Sequence, residues 1–139
     1  MLLLDTHVWI WTVEGDTRRV GRRARQLIAK AEARESVRIS PATIFEIVAL
    51  HTAGRLQLSR PPEQWIRESL GLPGMHVAEL SAEVAIDAGH IPRAALADPL
   101  DRLLVATARP LDATLLTSDA GVLAYAARIG NARVRNAAV

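Results

Sequence analysis

Four acidic residues, Asp5, Glu46, Asp101 and Asp119, stand where an apolar strand ends or a helix begins. Asp5 follows Leu2-Leu3-Leu4, and Asp119 follows Leu115-Leu116-Thr117-Ser118. Glu46 lies one turn into Ser40-Pro41-Ala42-Thr43-Ile44-Phe45, and Asp101 opens an apolar run with Asp98 one turn earlier. In a parallel α/β sheet the residues just past the strand ends converge on one edge, where ligands bind. Carboxylates gathered there repel by roughly 4 kcal/mol per pair at ~4 Å and an effective dielectric near 20. Mg²⁺ or Mn²⁺ offsets such repulsion with oxygen ligands alone and keeps several waters. Such an ion lowers the pKa of a bound water and stabilises charge developing on a phosphodiester, so nucleic acid hydrolysis is the reaction class expected.

Taken singly, each acid has a plainer role. Asp5 and Asp119 (or Ser118) suit helix N-caps, and Asp98 suits one because Pro99 follows it. Asp101 and Arg102 suit helix-surface ion pairs. Glu46 is harder to explain away: it sits among Ile44, Phe45, Ile47 and Val48, with Ala42 and Leu50 rather than a cation at i−4 and i+4. Burying that charge without a partner is costly. Taken together, the plain roles leave four or five carboxylates on one sheet edge with no lysine beside them. Thr6, Thr117 and Ser118 border the acids and are placed to orient carboxylates or water, or to cap and turn the chain. His7 reads as a supporting residue rather than a ligand.

The elements that would position these residues alternate. Leu2–Leu4 reads as a buried strand and Thr6–Val13 as the helix after it. Arg18–Arg34 carries Val20, Ala24, Leu27, Ile28 and Ala31 at helical spacing. A strand at Val37–Ile39 precedes a helix from Ser40-Pro41 to about Thr52, and Pro61-Pro62 opens another with Trp65, Ile66 and Leu70 on one face. A strand over Met75–Leu80, helices over Ser81–Gly89 and Ala97–Ala108, a strand over Ala113–Thr117, a helix over Ala120–Ile129 and an edge strand over Ala132–Arg135 complete the chain. Strands separated by helices imply crossovers and a mostly parallel sheet covered on both faces. The expectation is one α/β domain over residues 1–139, with four or five strands.

With 139 residues, half of them hydrophobic and only 4% aromatic, the core must be aliphatic. The absence of cysteine excludes disulfides, thiolate catalysis and zinc–thiolate sites. Met1-Leu2-Leu3-Leu4 is cut short by Asp5 and lacks a basic flank, so neither a signal peptide nor a membrane span is expected, and a cytoplasmic protein is. Net charge is only +2, yet Lys30 is the single lysine among 17 cationic residues. Arginine suits phosphate, although a GC-rich coding sequence explains the same bias. Arg18, Arg22 and Arg25 fall on one face of the expected second helix and are candidates to line a phosphate path; a solvated helix face is the alternative. Arg102 is a candidate for phosphate contact or for orienting Asp98. Trp9 and Trp11 read as core or dimer contacts rather than base-stacking platforms.

These pieces resemble the PIN-domain family, and within it the VapC-type toxins of bacterial toxin–antitoxin pairs. The matching segments are Leu3-Leu4-Asp5-Thr6-His7-Val8-Trp9, Ile39 to Ile47, Asp98-Pro99-Leu100-Asp101-Arg102 through Ala108, and Leu116-Thr117-Ser118-Asp119. The resemblance implies a three-layer α/β/α sandwich and an Mg²⁺- or Mn²⁺-dependent endoribonuclease. It places Asp5, Glu46 and Asp101 on the family's central acids, Asp119 on its more variable fourth, and Asp98 as a neighbour acting through water. It also implies a cognate antitoxin and a homodimer. Phe45 stands where many relatives have Trp, and Ala95-Leu96-Ala97 lacks a His often found before the Asp-Pro-x-Asp-Arg segment. The competing expectation is a PIN fold that binds RNA or protein without cleaving. A dehalogenase-type phosphatase fits poorly, since His7 stands where its second Asp belongs.

Overall fold

The computed structural model describes residues 1–129 and 133–139. Among these described residues five strands, β1 (Leu2–Leu4), β2 (Val37–Ile39), β3 (Met75–Val77), β4 (Thr114–Thr117) and β5 (Val134–Asn136), form one sheet of order β3-β2-β1-β4-β5. Every pairing is parallel, with Leu3 opposite both Arg38 and Leu115. The central strands are continuous apolar runs because both of their faces are covered.

Seven helices among the described residues lie in the crossovers: α1 (Thr6–Val13), α2 (Arg22–Ala33), α3 (Pro41–Thr52), α4 (Pro62–Leu70), α5 (Ala82–His90), α6 (Pro99–Ala108) and α7 (Ala120–Ile129). The chain walks from β1 outward to β3, then jumps back to β4 and onward to β5. Right-handed crossovers therefore send α1–α4 to one face and α5–α7 to the other. Packing agrees. Leu2 and Leu4 join Val8, Trp9, Ile28, Ile47 and Trp65 in one core, whereas Leu3 joins Leu104, Val105, Val122 and Tyr125 in the other. Alternation within three residues of β1 thus feeds both layers.

The expected elements are all present, with shifts at their ends. α2 starts at Arg22 rather than Arg18, because the Asp16 carboxylate accepts hydrogen bonds from the Arg18 and Arg19 N–H groups and holds that stretch as a turn. The N-cap of α2, Gly21, has no side chain to offer; Ala137 and Val139 carbonyls accept from Gly21 N and Ala24 N instead. α6 begins at Pro99, after Asp98, which caps it. β3 ends at Val77, although Ala78 N still donates to Ile39 O at 2.8 Å. β5 runs Val134–Asn136; Ala132, placed in that strand by sequence, lies outside the described residues. Among the described residues no helix is long and apolar enough to cross a membrane.

Candidate active site

β1 and β4 are neighbours whose onward connections depart in opposite directions, β1 toward β2 and β4 toward β5. Their C-terminal ends bound the crevice that such a reversal opens. Asp5 ends β1. Its Oδ1 accepts from Thr6 N at 2.6 Å, capping α1, and its Oδ2 accepts from the Thr117 hydroxyl at 2.5 Å. Both carboxylate oxygens are therefore held, one by its own helix and one by the neighbouring strand. The Thr117 hydroxyl in turn accepts from Asp119 N at 3.0 Å, and Asp119 Oδ1 accepts from Val122 N at 2.9 Å, so Asp119 caps α7. A single buried threonine fixes the two strand-end acids relative to each other.

Glu46 arrives from α3. Its Oε1 accepts from the Thr6 hydroxyl, and Thr6 Oγ1 also lies 3.3 Å from Thr43 Oγ1. A hydroxyl has one proton to give. The charge-assisted bond to the carboxylate takes it, leaving Thr43 to donate to Thr6. Asp98 and Asp101 come from the opposite layer, on α6, where Asp98 Oδ1 caps the helix through Leu100 N at 2.9 Å. Asp101 is half-buried and its carboxylate makes no hydrogen bond among the described residues.

Electrostatics shows that these carboxylates share one region. Burial pushes the Asp101 carboxyl up to about 8, with repulsion from Asp98, Asp5, Asp119 and Glu46 acting in the same direction. Glu46 is raised by burial and by Asp5 and Asp98, against the Thr6 bond and His7, which lower it. Asp5 is raised by burial and by Asp119, against its bonds to Thr117 and Thr6 and the nearby His7. Of the charged neighbours acting on the three, only His7 is not an acid. The donors are thus all oxygen with no compensating Lys or Arg, which suits a hard divalent cation. Among the described residues no group of three or more His, Asp or Glu side chains is placed so that it could hold a metal ion. Mg²⁺ is commonly held by one or two carboxylates and keeps several waters.

The sequence-expected basic residues fare unevenly. Arg18 precedes α2 and does not share a helix face with Arg22 and Arg25. Arg25 donates through Nη1 to the Thr17 and Val20 carbonyls at 2.9 and 3.1 Å, tying the loop to the helix. Arg102 donates to Ala97 O at 3.3 Å, while its Nε is buried without a partner among the described residues; no ion pair joins it to Asp98. Ser118 follows Thr117 in the turn, half-buried. Sequence reading missed Thr43. The available signal was its position three residues before Glu46, on the same helix face.

Thr117→Val should lower the activity of this site by about 10–100-fold, the usual effect of removing a side chain that orients a ligand group. It deletes the donor to Asp5 and the acceptor for Asp119 N with little change in shape. Steady-state kinetics beside a thermal melt separates this loss from unfolding.

The PIN domain family model matches residues 2–128. Ribonuclease VapC22 of Mycobacterium tuberculosis is 29% identical over 118 residues, covering 85% of this chain and 86% of that protein. Among solved structures, a chain of VapBC2 from Rickettsia felis, bound to a DNA fragment from its promoter, superposes with a TM-score of 0.68 at 16% identity over 97% of both chains. A chain of DNA-bound VapBC from Salmonella typhimurium gives 0.65 at 23% identity over 98% of both.

Proposed function

From the premise that the chain belongs to the PIN domain family, we propose that residues 1–139 form one nuclease domain, a divalent-metal-dependent endoribonuclease that acts as the toxin of a toxin–antitoxin pair. What supports this reading is that Asp5, Glu46 and Asp101, from three separate segments, are raised by one another's charge or by that of Asp98 and Asp119, with His7 the one cationic side chain acting on them. The name of the 29%-identical relative, a ribonuclease, supports the substrate class, and the VapBC complexes support the partner.

Asp5, Glu46, Asp101 and Asp119 would hold Mg²⁺ or Mn²⁺, with Asp98 assisting; when bound, the ion supplies water activation and charge stabilisation at the phosphodiester. The protein's own part is positioning. Thr117 and Thr6 fix both oxygens of Asp5, and Thr6, backed by Thr43, fixes one oxygen of Glu46. Asp101 has no such anchor. Burial and the neighbouring acids raise its carboxyl, and a divalent ion held there would offset that repulsion. Arg22 on α2 and Arg102, which follows Asp101 in the chain, are the candidates for phosphate contact. A cognate antitoxin, a homodimer and a cytoplasmic site of action complete the proposal.

Induced expression in a bacterial host tests it. Growth should arrest, and sequencing should reveal new RNA 5′ ends at a defined set of positions. Arrest with an unchanged set of ends, and RNA bound without cleavage in vitro, would favour the silent binding module.

A further inference from the structure

The sheet edge opposite the carboxylates gathers charge of the other sign. Where the last turns of α2 meet the starts of β1 and β4 lies a pocket of about 200 Å³, lined by Lys30, Arg34 and Arg135 together with Ser36, Thr114 and Leu2 among others. No acid lines it. Lys30 and Arg34 come from α2 and its C-cap and Arg135 from β5, so two elements far apart in sequence bring like charges to one cavity. We propose that this pocket is an anion site that takes a phosphate group, either a backbone phosphate of RNA or a small free phosphate. The RNA source rests on the ribonuclease reading above; the free source does not.

Nothing in the fold uses these three cations. Arg19, Arg60, Arg67, Arg109 and Arg133 pair with acids, and Arg25, Arg38, Arg102 and Arg128 donate to backbone carbonyls. Among the described residues the side chains of Lys30, Arg34 and Arg135 have neither kind of partner. The acids nearest in sequence are occupied elsewhere. Glu32 lines the separate groove beside Trp11, its carboxyl raised by burial with no cation lowering it, and Glu35 meets His76 at 2.8 Å. The α2 C-terminus favours Lys30 and Arg34 through its dipole. Its Ala31 carbonyl is already satisfied, however, by Arg34 N, Ser36 N and the Ser36 hydroxyl at 3.1, 2.9 and 3.1 Å. The dipole also leaves Arg135 unexplained. Arg135 stands opposite Leu116, which packs in the same core as Ile28, so its side chain projects into the α2 layer. Two guanidinium forks and one ammonium suit the oxygens of a phosphate, and the Thr114 hydroxyl, with no hydrogen bond among the described residues, adds a donor.

The test uses the whole protein with EDTA present to suppress cleavage. Thermal melts are recorded in inorganic phosphate and in chloride at matched ionic strength, and affinity for a single-stranded RNA is measured across salt concentrations. Wild type should melt higher in phosphate. Arg34→Gln with Arg135→Gln should lose that rise, whereas Arg55→Gln with Arg93→Gln, an equal loss of charge from exposed positions outside the pocket, should keep it. If RNA supplies the phosphate, the pocket double variant alone should also flatten the plot of log affinity against log salt by roughly 0.7, the share of one phosphate contact. That fall in slope gives the site to RNA; a pocket-dependent rise in melting without it gives the site to a small free phosphate. An unchanged slope, with no rise in wild type or an equal rise in all three proteins, would overturn the site. Stabilisation by a polyglutamate peptide but not by phosphate would overturn it in favour of an acidic protein segment. A wild type that cleaves no RNA once Mg²⁺ is restored, yet keeps the pocket-dependent rise, would overturn the ribonuclease reading and leave this site standing.

Discussion

Asp101→Asn is expected to reduce RNA cleavage by at least ~10²–10³-fold, more than the ~10–100-fold that follows loss of a residue that only orients a ligand. The amide keeps the shape but gives up the charge and the capacity to accept a proton. The same substitution should stabilise the metal-free protein, and the sign is fixed by linkage. The unfolded chain releases this proton near the ordinary value of 3.8, whereas the folded chain holds it to about 8. Between those limits the folded state binds more protons, so wild-type stability falls as pH rises. Asn removes that slope. Its advantage is therefore nil near pH 4 and greatest at pH 8, where screening of a half-exposed group limits it to about 1 kcal/mol. Thermal melts at pH 4.5 and pH 8 check the stability half, and initial rates check the other. A variant that is both less active and less stable at pH 8 would mean that Asp101 supports the fold rather than the chemistry.

Trp9→Ala should destabilise the protein by about 3–5 kcal/mol, a large share of the ~5–15 kcal/mol that holds a typical domain. Trp9 is fully buried between α1 and the sheet and meets Trp65 of α4 edge to face, with centroids 5.1 Å apart and planes at 72°. Trp65 Nε1 donates to Glu14, the C-cap of α1, at 3.0 Å, so the pair clamps both ends of the α1–α4 contact. Deleting the indole leaves a cavity at the base of the helix whose first turn carries Asp5 and Thr6. Chemical denaturation should show a lower midpoint with an unchanged slope, and activity below the new midpoint should fall with site geometry. Trp9→Phe should cost much less, because the buried Trp9 Nε1 has no hydrogen-bond partner among the described residues and its loss removes an unsatisfied donor.

The acids were legible in the sequence because their placement follows from topology. A strand-end Asp in a parallel sheet faces the ligand edge wherever the strand sits, so Asp5 and Asp119 needed only the strand assignments. Glu46 was legible from its apolar neighbours and Asp101 from its helix register with Asp98. The capping roles do not exclude the proposed site: Asp5, Asp98 and Asp119 each cap a helix. A cap uses one carboxylate oxygen and leaves the other for a second task.

What stayed hidden was contact between segments distant in sequence. The Thr117–Asp5 bond spans 112 positions and the Thr6–Glu46 bond 40, and no local pattern reports either. Thr43 has the same character, being one more polar residue in a helix until α1 packs against α3. The arginine stripe failed for a local reason that was available but not weighed. Asp16 followed by Thr17 favours a turn held by the Asp side chain, and that delays the helix to Arg22 and removes Arg18 from its face. Trp11, read as a core or dimer contact, is partly buried and packs against the core, with His7 and Arg19 beside its ring.

The central claim is that the repelling carboxylates exist to hold a divalent ion over an RNA phosphodiester. Purified protein should be mixed with an RNA pool in Mg²⁺, in EDTA, and in EDTA followed by excess Mg²⁺, with Asp101→Asn in parallel. The account predicts cleavage in the first and third conditions, none in the second, and none above background from the variant. Cleavage that persists in EDTA, or an Asp101→Asn protein that cuts at the wild-type rate, would contradict it.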